Sequence, residues 1–145
     1  MRVDARFVLD TSTTMSWCFD DEADAYGDAV LDSLVDAPAA APSLWTLEVT
    51  NVLLVAERRN RITPKESEAF LRLLFELPIY VRELGPMRYM LDLLTVGREL
   101  ALSSYDTAFL MLAKELDVPL ATRDLRLRQA AEQVGVSLYD PGATV

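Results

Sequence analysis

The stretch ALSSYDTAFLMLAKELDVPLATRDLRL, residues 101–127, combines a helix start, a long apolar helix and a short buried strand. Ser103 is a good N-cap residue, and it places Asp106 at the third position of the predicted helix. The apolar run VPLAT is typical of a buried strand, and Asp124 follows it after one intervening residue, Arg123. A helix that leads into a buried strand, followed by another helix, indicates an α/β fold.

The rest of the chain continues this alternation of short apolar runs and longer amphipathic runs. Turn-bounded apolar runs predict strands at 6–10, 39–43, 79–84, 118–122 and 136–140. Helical spacing and capping residues predict helices at 20–36, 44–60, 62–77, 86–101, 103–117 and 124–135. This order favours a three-layer α/β/α sandwich with a mostly parallel central sheet, in one domain over residues 1–145.

Composition removes several classes of function. The 145 residues include no histidine and one cysteine, Cys18, which excludes imidazole acid–base pairs, His-assisted nucleophiles, His- or Cys-rich zinc sites and an internal disulfide. The net charge of −9 is the wrong sign for a broad basic surface that holds nucleic acid. Without a signal-like N-terminus or a long apolar run, we expect a soluble cytoplasmic protein that does not enter membranes.

Four acidic residues fall where predicted strands end or the following helices begin. Asp10 ends the first strand, Glu48 lies in the first turns after AAAPS, Asp106 lies in the first turn after ALSS, and Asp124 follows VPLAT. In an open parallel sheet these positions lie along one edge, where ligand sites form. We therefore expect the four carboxylates to converge.

Each acid also has an ordinary structural explanation. Asp10 and Asp124 are plausible caps for local amides, and Asp106 is a plausible charge–dipole stabiliser. Glu48 is harder to explain, because it lies between Leu47 and Val49 in a largely apolar helix and a buried lone carboxylate is costly.

Converging carboxylates repel one another unless positive charge lies between them, and a divalent metal is the simplest source of that charge. Carboxylate oxygens suit Mg²⁺ or Mn²⁺, which lower the pKa of a bound water and polarise a phosphodiester. The residues therefore predict metal-dependent hydrolysis. Asn51, one turn after Glu48, is placed to orient Glu48 or a water.

These residues resemble the PIN-domain ribonucleases, and most closely the VapC-type toxins of toxin–antitoxin pairs. The resemblance rests on FVLDTS, APSLWTLEVTNVLL, the stretch at 101–127 and AAEQVGVSLYDP, and it covers nearly the whole chain. It implies a compact α/β/α fold, an acidic site that binds Mg²⁺ or Mn²⁺, and endonucleolytic cleavage of RNA. It also implies a homodimer and inhibition by a small antitoxin protein.

Roles follow from the resemblance, position by position. It implies that Asp10 and Asp106 are the principal metal ligands, that Asp124 completes the acidic cluster, and that Glu48 is a ligand or orients the attacking water. Polar residues that it places around these acids are Thr11, Ser104 and Thr122. Thr11 and Ser12, which follow Asp10 directly, are also candidates to hydrogen-bond its carboxylate and fix its direction.

Basic residues near the predicted site are the candidates for RNA contact. They lie in TRDLRLR and are Arg123, Arg126 and Arg128. Arg123 is a departure from the family, whose members often carry a small or amide residue between the equivalents of Thr122 and Asp124. Solvated helix-end arginines are the alternative explanation for this run.

Two other functions compete with the nuclease. One is a PIN-like module without catalysis that binds RNA or a protein partner. The other is an aspartyl-phosphate phosphatase, which would require an aspartate where this chain has Ser12.

Overall fold

A four-stranded parallel sheet forms the centre of the molecule in the computed structural model, which describes residues 4–142. The strands lie in the order β3-β2-β1-β4, and every described strand pairing is parallel. Their bounds are Phe7–Leu9 for β1, Ala39–Pro42 for β2, Ile79–Arg82 for β3 and Leu120–Ala121 for β4. The predicted strand at 136–140 is reduced to one parallel bridge between Leu120 and Leu138.

Helices cover both faces of the sheet, as the predicted parallel topology requires. Their bounds are Thr11–Met15 for α1, Ala25–Ser33 for α2, Leu44–Arg58 for α3, Pro64–Phe75 for α4, Tyr89–Leu100 for α5, Ser104–Leu116 for α6 and Leu125–Gln133 for α7. A short 3-10 helix spans Asp20–Glu22. The three-layer α/β/α fold is therefore confirmed.

Local sequence signals explain most helix boundaries. Thr63 and Glu66 form the capping box that starts α4, and the Ser103 hydroxyl accepts the Asp106 N–H at 3.1 Å to start α6. Two predictions were wrong in detail. The predicted helix at 20–36 is broken, because the Asp24 carboxylate accepts the Gly27 N–H and caps a new helix that begins at Ala25. Ser43, a typical N-cap residue directly before the predicted helix at 44–60, makes no side-chain capping bond.

The strand order fixes where a ligand site can form. The chain moves from β1 to β2 and β3 in one direction, and then returns to place β4 on the opposite side of β1. The strand order therefore reverses between β1 and β4, and the crevice at the carboxyl ends of those strands is the usual ligand position in such sheets. Asp10 and Asp124 follow these two strands.

The core lies between the sheet and its helices, and it holds this edge in place. Strands β1 and β2 are fully buried, and α6 packs against both with Phe109 and Leu110 buried. Phe7 also stacks on Tyr139, with ring centroids 3.9 Å apart. None of the helices in residues 4–142 has the length and apolarity needed to cross a membrane.

Candidate metal centre

A pocket of about 280 Å³ opens at the carboxyl ends of the strands. Its lining residues are Asp10, Thr11, Ser12, Met15, Glu22, Glu48, Val52, Asp106, Phe109 and Asp124. All four predicted acids are among them. Neither Lys nor Arg is found among these described lining residues, so the pocket is strongly acidic.

Asp10 lies at the base of the pocket and is 4% exposed. Its carboxylate accepts the Thr13 N–H at 2.9 Å, which caps α1, and the Ser12 hydroxyl at 2.9 and 3.1 Å to its two oxygens. The buried Thr122 hydroxyl donates to Oδ2. Asp10 is therefore both a helix cap and a carboxylate whose direction is fixed by several donors.

Glu48 reaches the pocket from α3, the neighbouring helix. Its Oε1 accepts the Thr11 hydroxyl at 2.7 Å, so Thr11 orients Glu48 rather than Asp10. The helix face is less buried than its apolar sequence predicts, because Leu47 is 74% exposed and Glu48 is only partly buried. Glu48 thus keeps access to the pocket.

Asp106 and Asp124 complete the acidic lining from the starts of α6 and α7. Asp106 occupies the first turn of α6. Asp124 is the N-cap of α7, where Oδ1 accepts the Leu127 N–H at 3.0 Å. The capping role considered for Asp124 is therefore present, and it does not prevent this residue from lining the pocket.

The carboxylates are electrostatically coupled. Burial raises the pKa of Asp10 above its ordinary value, although the hydrogen bonds from Thr122, Thr13 and Ser12 oppose the shift. Burial also raises the pKa of Glu48, the Thr11 hydrogen bond opposes it, and repulsion from Asp106 and Asp10 adds to it.

Asp106 shows the same pattern. Its pKa is raised first by burial and then by repulsion from Asp124, while Arg126 lowers it. Three of the four acids therefore carry a cost of ionisation that a neighbouring cation would relieve.

The donor set fits a hard divalent ion, because every candidate ligand is a carboxylate or hydroxyl oxygen and the carboxylates repel one another. In residues 4–142, however, no three His, Cys, Asp or Glu side chains are arranged closely enough to hold a metal ion. Three of the acids are each engaged in a hydrogen bond with a neighbouring donor: Ser12 donates to Asp10, Thr11 to Glu48 and the Leu127 N–H to Asp124.

Three predicted polar residues do not line this pocket. Asn51 is exposed on α3. Ser104 is also exposed, and it lines a separate apolar groove of about 440 Å³ between α5 and α6. Thr122 does not line the pocket either, but its buried hydroxyl reaches the pocket through Asp10.

The three candidate RNA-binding arginines all make contacts within the protein. Arg123 Nε donates to Asp24 at 2.7 Å, and Arg128 Nε donates to the Thr122 carbonyl at 2.7 Å. Arg126 Nη2 donates to the Ala101 carbonyl at 2.8 Å, but this side chain is exposed on α7. Their contact with RNA stays a prediction.

Glu22 lines the pocket although the sequence did not indicate it. It lies in the short 3-10 helix, where Arg61 Nη2 pairs with Glu22 at 3.0 Å and with Asp21 at 2.7 Å. The sequence pattern predicts the acidic run DDE as the start of a helix, whereas the structure places it in a separate 3-10 helix before Asp24.

Two solved structures have a similar fold. PAE2754 from Pyrobaculum aerophilum matches with a TM-score of 0.69 and 19% identity, over 88% of this chain and 86% of that one. FitAcB from Neisseria gonorrhoeae matches with a TM-score of 0.62 and 17% identity, over 95% of this chain and 99% of that one. No protein-family model and no curated protein sequence matches the chain. Both neighbours are PIN-domain proteins, so the predicted PIN-like fold is confirmed.

Proposed function

We propose that this chain is a metal-dependent endoribonuclease and the toxin of a type II toxin–antitoxin pair. One observation carries the proposal: the four predicted carboxylates, from four different segments, line a single pocket where the strand order of a PIN-like sheet reverses. Helix capping explains Asp124, but it does not explain why Glu48 reaches the same pocket from α3. A cation shared by the carboxylates would explain why Glu48 lies beside the three aspartates.

Three aspartates would hold the ion, namely Asp10, Asp106 and Asp124. When bound, Mg²⁺ or Mn²⁺ would supply charge neutralisation and a lowered pKa for water. Ser12 and Thr122 fix the direction of the Asp10 carboxylate.

Glu48 is the residue best placed to accept a proton from a water. Its Oε1 is held by Thr11, and in the described part of the chain Oε2 receives no hydrogen bond. Burial raises its pKa, which makes it a better base at neutral pH than an ordinary glutamate.

The net charge of −9 opposes the binding of RNA, which is a polyanion. The pocket repels phosphate as it stands, so productive RNA binding should depend on the metal and on nearby basic groups. Arg126 is the best placed of the three candidate arginines, because it is exposed and close enough to lower the pKa of Asp106. The cytoplasmic location predicted from the sequence is part of this proposal.

Incubation with total cellular RNA tests the activity. We expect endonucleolytic cleavage with Mg²⁺ or Mn²⁺, seen as discrete new 5′ ends, and loss of those ends with a chelator. The Asp10→Asn protein, purified in the same way, controls for a contaminating nuclease. Degradation that survives chelation, or that persists in Asp10→Asn, would contradict the proposed activity.

The toxin assignment draws on the neighbour FitAcB, which points to a complex with an antitoxin. The proposed partners of this chain are a small antitoxin protein and a second copy of the chain. Exposed apolar side chains around α5 could support such contacts, with Met87 81%, Leu91 69% and Leu94 56% exposed.

Expression of the chain alone should arrest growth. We expect that Asp10→Asn, expressed at the same level, does not arrest growth, and that co-expression of the small neighbouring gene relieves the arrest. Colony counts after induction measure both effects. Equal growth of cells with the wild-type and Asp10→Asn chains would argue against toxicity even if the purified protein cleaves RNA.

A PIN-like module that binds RNA or protein without catalysis is the second candidate. The observation that favours it is that no three described acids are arranged to hold a metal. RNA binding without any metal-dependent cleavage in the assay above would support this alternative.

A further inference from the structure

Arg123 joins two segments that both reach Asp10. It lies between Thr122 and Asp124, but it is not among the residues that line the pocket. Its Nε donates to Asp24 Oδ2 at 2.7 Å, and its Nη1 donates to the Ser12 carbonyl at 3.4 Å. One guanidinium therefore connects the β4–α7 junction, the start of α2 and the start of α1.

The two connected segments carry the hydroxyls that orient Asp10. Ser12 donates to both Asp10 oxygens, and Thr122 donates to Oδ2. The Thr122 oxygen also accepts the Asp124 N–H at 3.1 Å, so its one proton is directed to Asp10. A shift of either segment would move a donor away from the carboxylate.

We propose that Arg123 is a positioning residue for Asp10. By bridging Asp24 and the Ser12 carbonyl, it holds the Ser12 and Thr122 hydroxyls in register on either side of that carboxylate. The consequence for catalysis rests on the proposed function, whereas the consequence for the geometry of Asp10 does not.

Helix α2 is the frame to which this bridge is attached. Asp24 Oδ1 accepts the Gly27 N–H at 2.6 Å, so the carboxylate that holds Arg123 is itself fixed as the N-cap of α2. Arg128 makes a parallel connection, because its Nε holds the Thr122 carbonyl and its guanidinium lies 4.7 Å from the ring centre of Tyr26 on α2. Thr122 is thus held from two sides by the same helix.

Contact with RNA is the competing role for Arg123. Removal of the Asp24 charge distinguishes this role from the positioning role. The Arg123 side chain is 24% exposed and its Nε is already used by a carboxylate. If Arg123 bound phosphate, removal of the Asp24 charge would free it and strengthen RNA binding. If Arg123 is a positioning residue, removal of the same charge should weaken the site.

The test compares Arg123→Gln, Asp24→Asn and the double variant in the full chain. Asparagine keeps the N-cap of α2, so Asp24→Asn removes the ion pair without removing the cap. Arg82→Gln is the matched control, because Arg82 makes an exposed ion pair with Glu115 at 3.7 Å and does not line the pocket.

We expect each single variant to weaken Mn²⁺ binding, measured by calorimetry, by about three- to tenfold, below the loss from direct partners of metal ligands. The double variant should be no worse than either single one, because both break the same bridge. Cleavage should fall through kcat, with the RNA KM and its salt dependence unchanged. Arg123→Lys should recover part of the loss, since the lysine ammonium can pair with Asp24 but lacks the planar fork whose separate Nε and Nη1 donors reach Asp24 and the Ser12 carbonyl.

Hydrogen exchange gives a readout that needs neither metal nor cleavage. In Arg123→Gln we expect faster exchange at the amides of Thr13 and Asp124, whose acceptors are Asp10 and Thr122, and unchanged exchange at buried Phe109. If neither wild-type cleavage nor Mn²⁺ binding is found, the proposed function fails and exchange still decides the inference. Unchanged exchange at those two amides, a raised RNA KM with a smaller salt slope, or tighter RNA binding by Asp24→Asn would each overturn it.

Discussion

Asp10→Asn is expected to reduce metal-dependent RNA cleavage by at least about a hundredfold. Loss of a group that only supports a metal ligand costs about 10–100-fold, and Asp10 is proposed to be a ligand itself. The measurement is the initial rate of cleavage of a mapped RNA site at saturating Mn²⁺. Mn²⁺ affinity of the same protein should fall in parallel.

The fold should survive this change, because asparagine preserves the structural part of the role of Asp10. Its side-chain oxygen can still accept the Thr13 N–H and cap α1, and asparagine is as good an N-cap as aspartate. Ser12 and Thr122 lose a charged acceptor, which costs stability, but the burial cost of the charge disappears as well. We expect the unfolding free energy to change by about 1–2 kcal/mol at most.

Asp32→Asn is the control for this prediction, since Asp32 is exposed on α2 and does not line the pocket. It should cleave RNA at the wild-type rate. Wild-type activity in Asp10→Asn would show that Asp10 is only a helix cap, and the proposed role of the pocket would then be wrong.

Topology explains why the acids could be placed from the sequence. Asp10 and Asp124 follow strands, and any parallel sheet brings such positions to one edge, so their neighbourhood depends on the fold class and not on side-chain detail. Asp106 follows from a cap at Ser103 that is visible in the sequence. Strand ends and caps are local signals, and here the tertiary structure agrees with them.

The direction of side chains on a helix explains why two predicted site residues, Asn51 and Ser104, lie outside the pocket. The spacing of about one turn from Glu48 predicts that Asn51 faces the site, but three residues advance a helix by about 300° and not by a full turn. Asn51 is exposed, while Val52, at four residues, lines the pocket. Ser104 and Asp106 are two residues apart on α6, so they point to different sides of it, and Ser104 lines the groove beside α5 instead.

Helix α1 depends on tertiary contacts that a local stretch of sequence does not reveal. Four of its five residues, TSTT, have low helix propensity, and the sequence pattern predicts no helix there. The helix forms because Asp10 caps it and because Thr13 and Thr14 are fully buried with their hydroxyls bonded to the Ala121 and Asp10 carbonyls. Such support from β4 cannot be seen in a local stretch of sequence.

Asp106→Asn should have opposite effects on activity and on stability. Cleavage should fall by at least about a hundredfold, for the same reason as in Asp10→Asn. In the presence of a chelator at neutral pH, however, we expect the melting temperature to rise. The pKa of Asp106 is raised by burial and by Asp124, so its ionised form destabilises the folded protein, whereas a neutral asparagine at this position does not.

The direction of the pH dependence follows from the same shift. A carboxyl group whose pKa is raised in the folded protein binds its proton more tightly there than in the unfolded chain. The protonated carboxyl group of Asp106 contributes its full stability at pH values below its ordinary pKa of 3.8. This contribution is lost as the pH rises through the higher pKa of the folded protein. The stability gained by Asp106→Asn should therefore be largest at neutral pH and should shrink as the pH falls towards 4.

The size of this gain is limited by solvent. Asp106 is only partly buried, so screening reduces the repulsion, and about 1 kcal/mol or less is expected. For a chain of this length that corresponds to a rise of about 1–4 °C in melting temperature. At saturating Mn²⁺ the wild type should have the higher melting temperature, because it gains binding energy that Asp106→Asn lacks.

Asp92→Asn is the matched control, because Asp92 also lies in the first turn of a helix, α5, but is exposed and outside the pocket. An acid that only complements a helix dipole stabilises the protein, so its removal should lower the melting temperature slightly or leave it unchanged. If Asp106→Asn behaves like Asp92→Asn, then Asp106 is a dipole stabiliser and does not belong to a repelling cluster. A rise at Asp106 alone, lost at low pH and reversed by Mn²⁺, would support the proposal that Asp106 shares a bound ion with the neighbouring carboxylates.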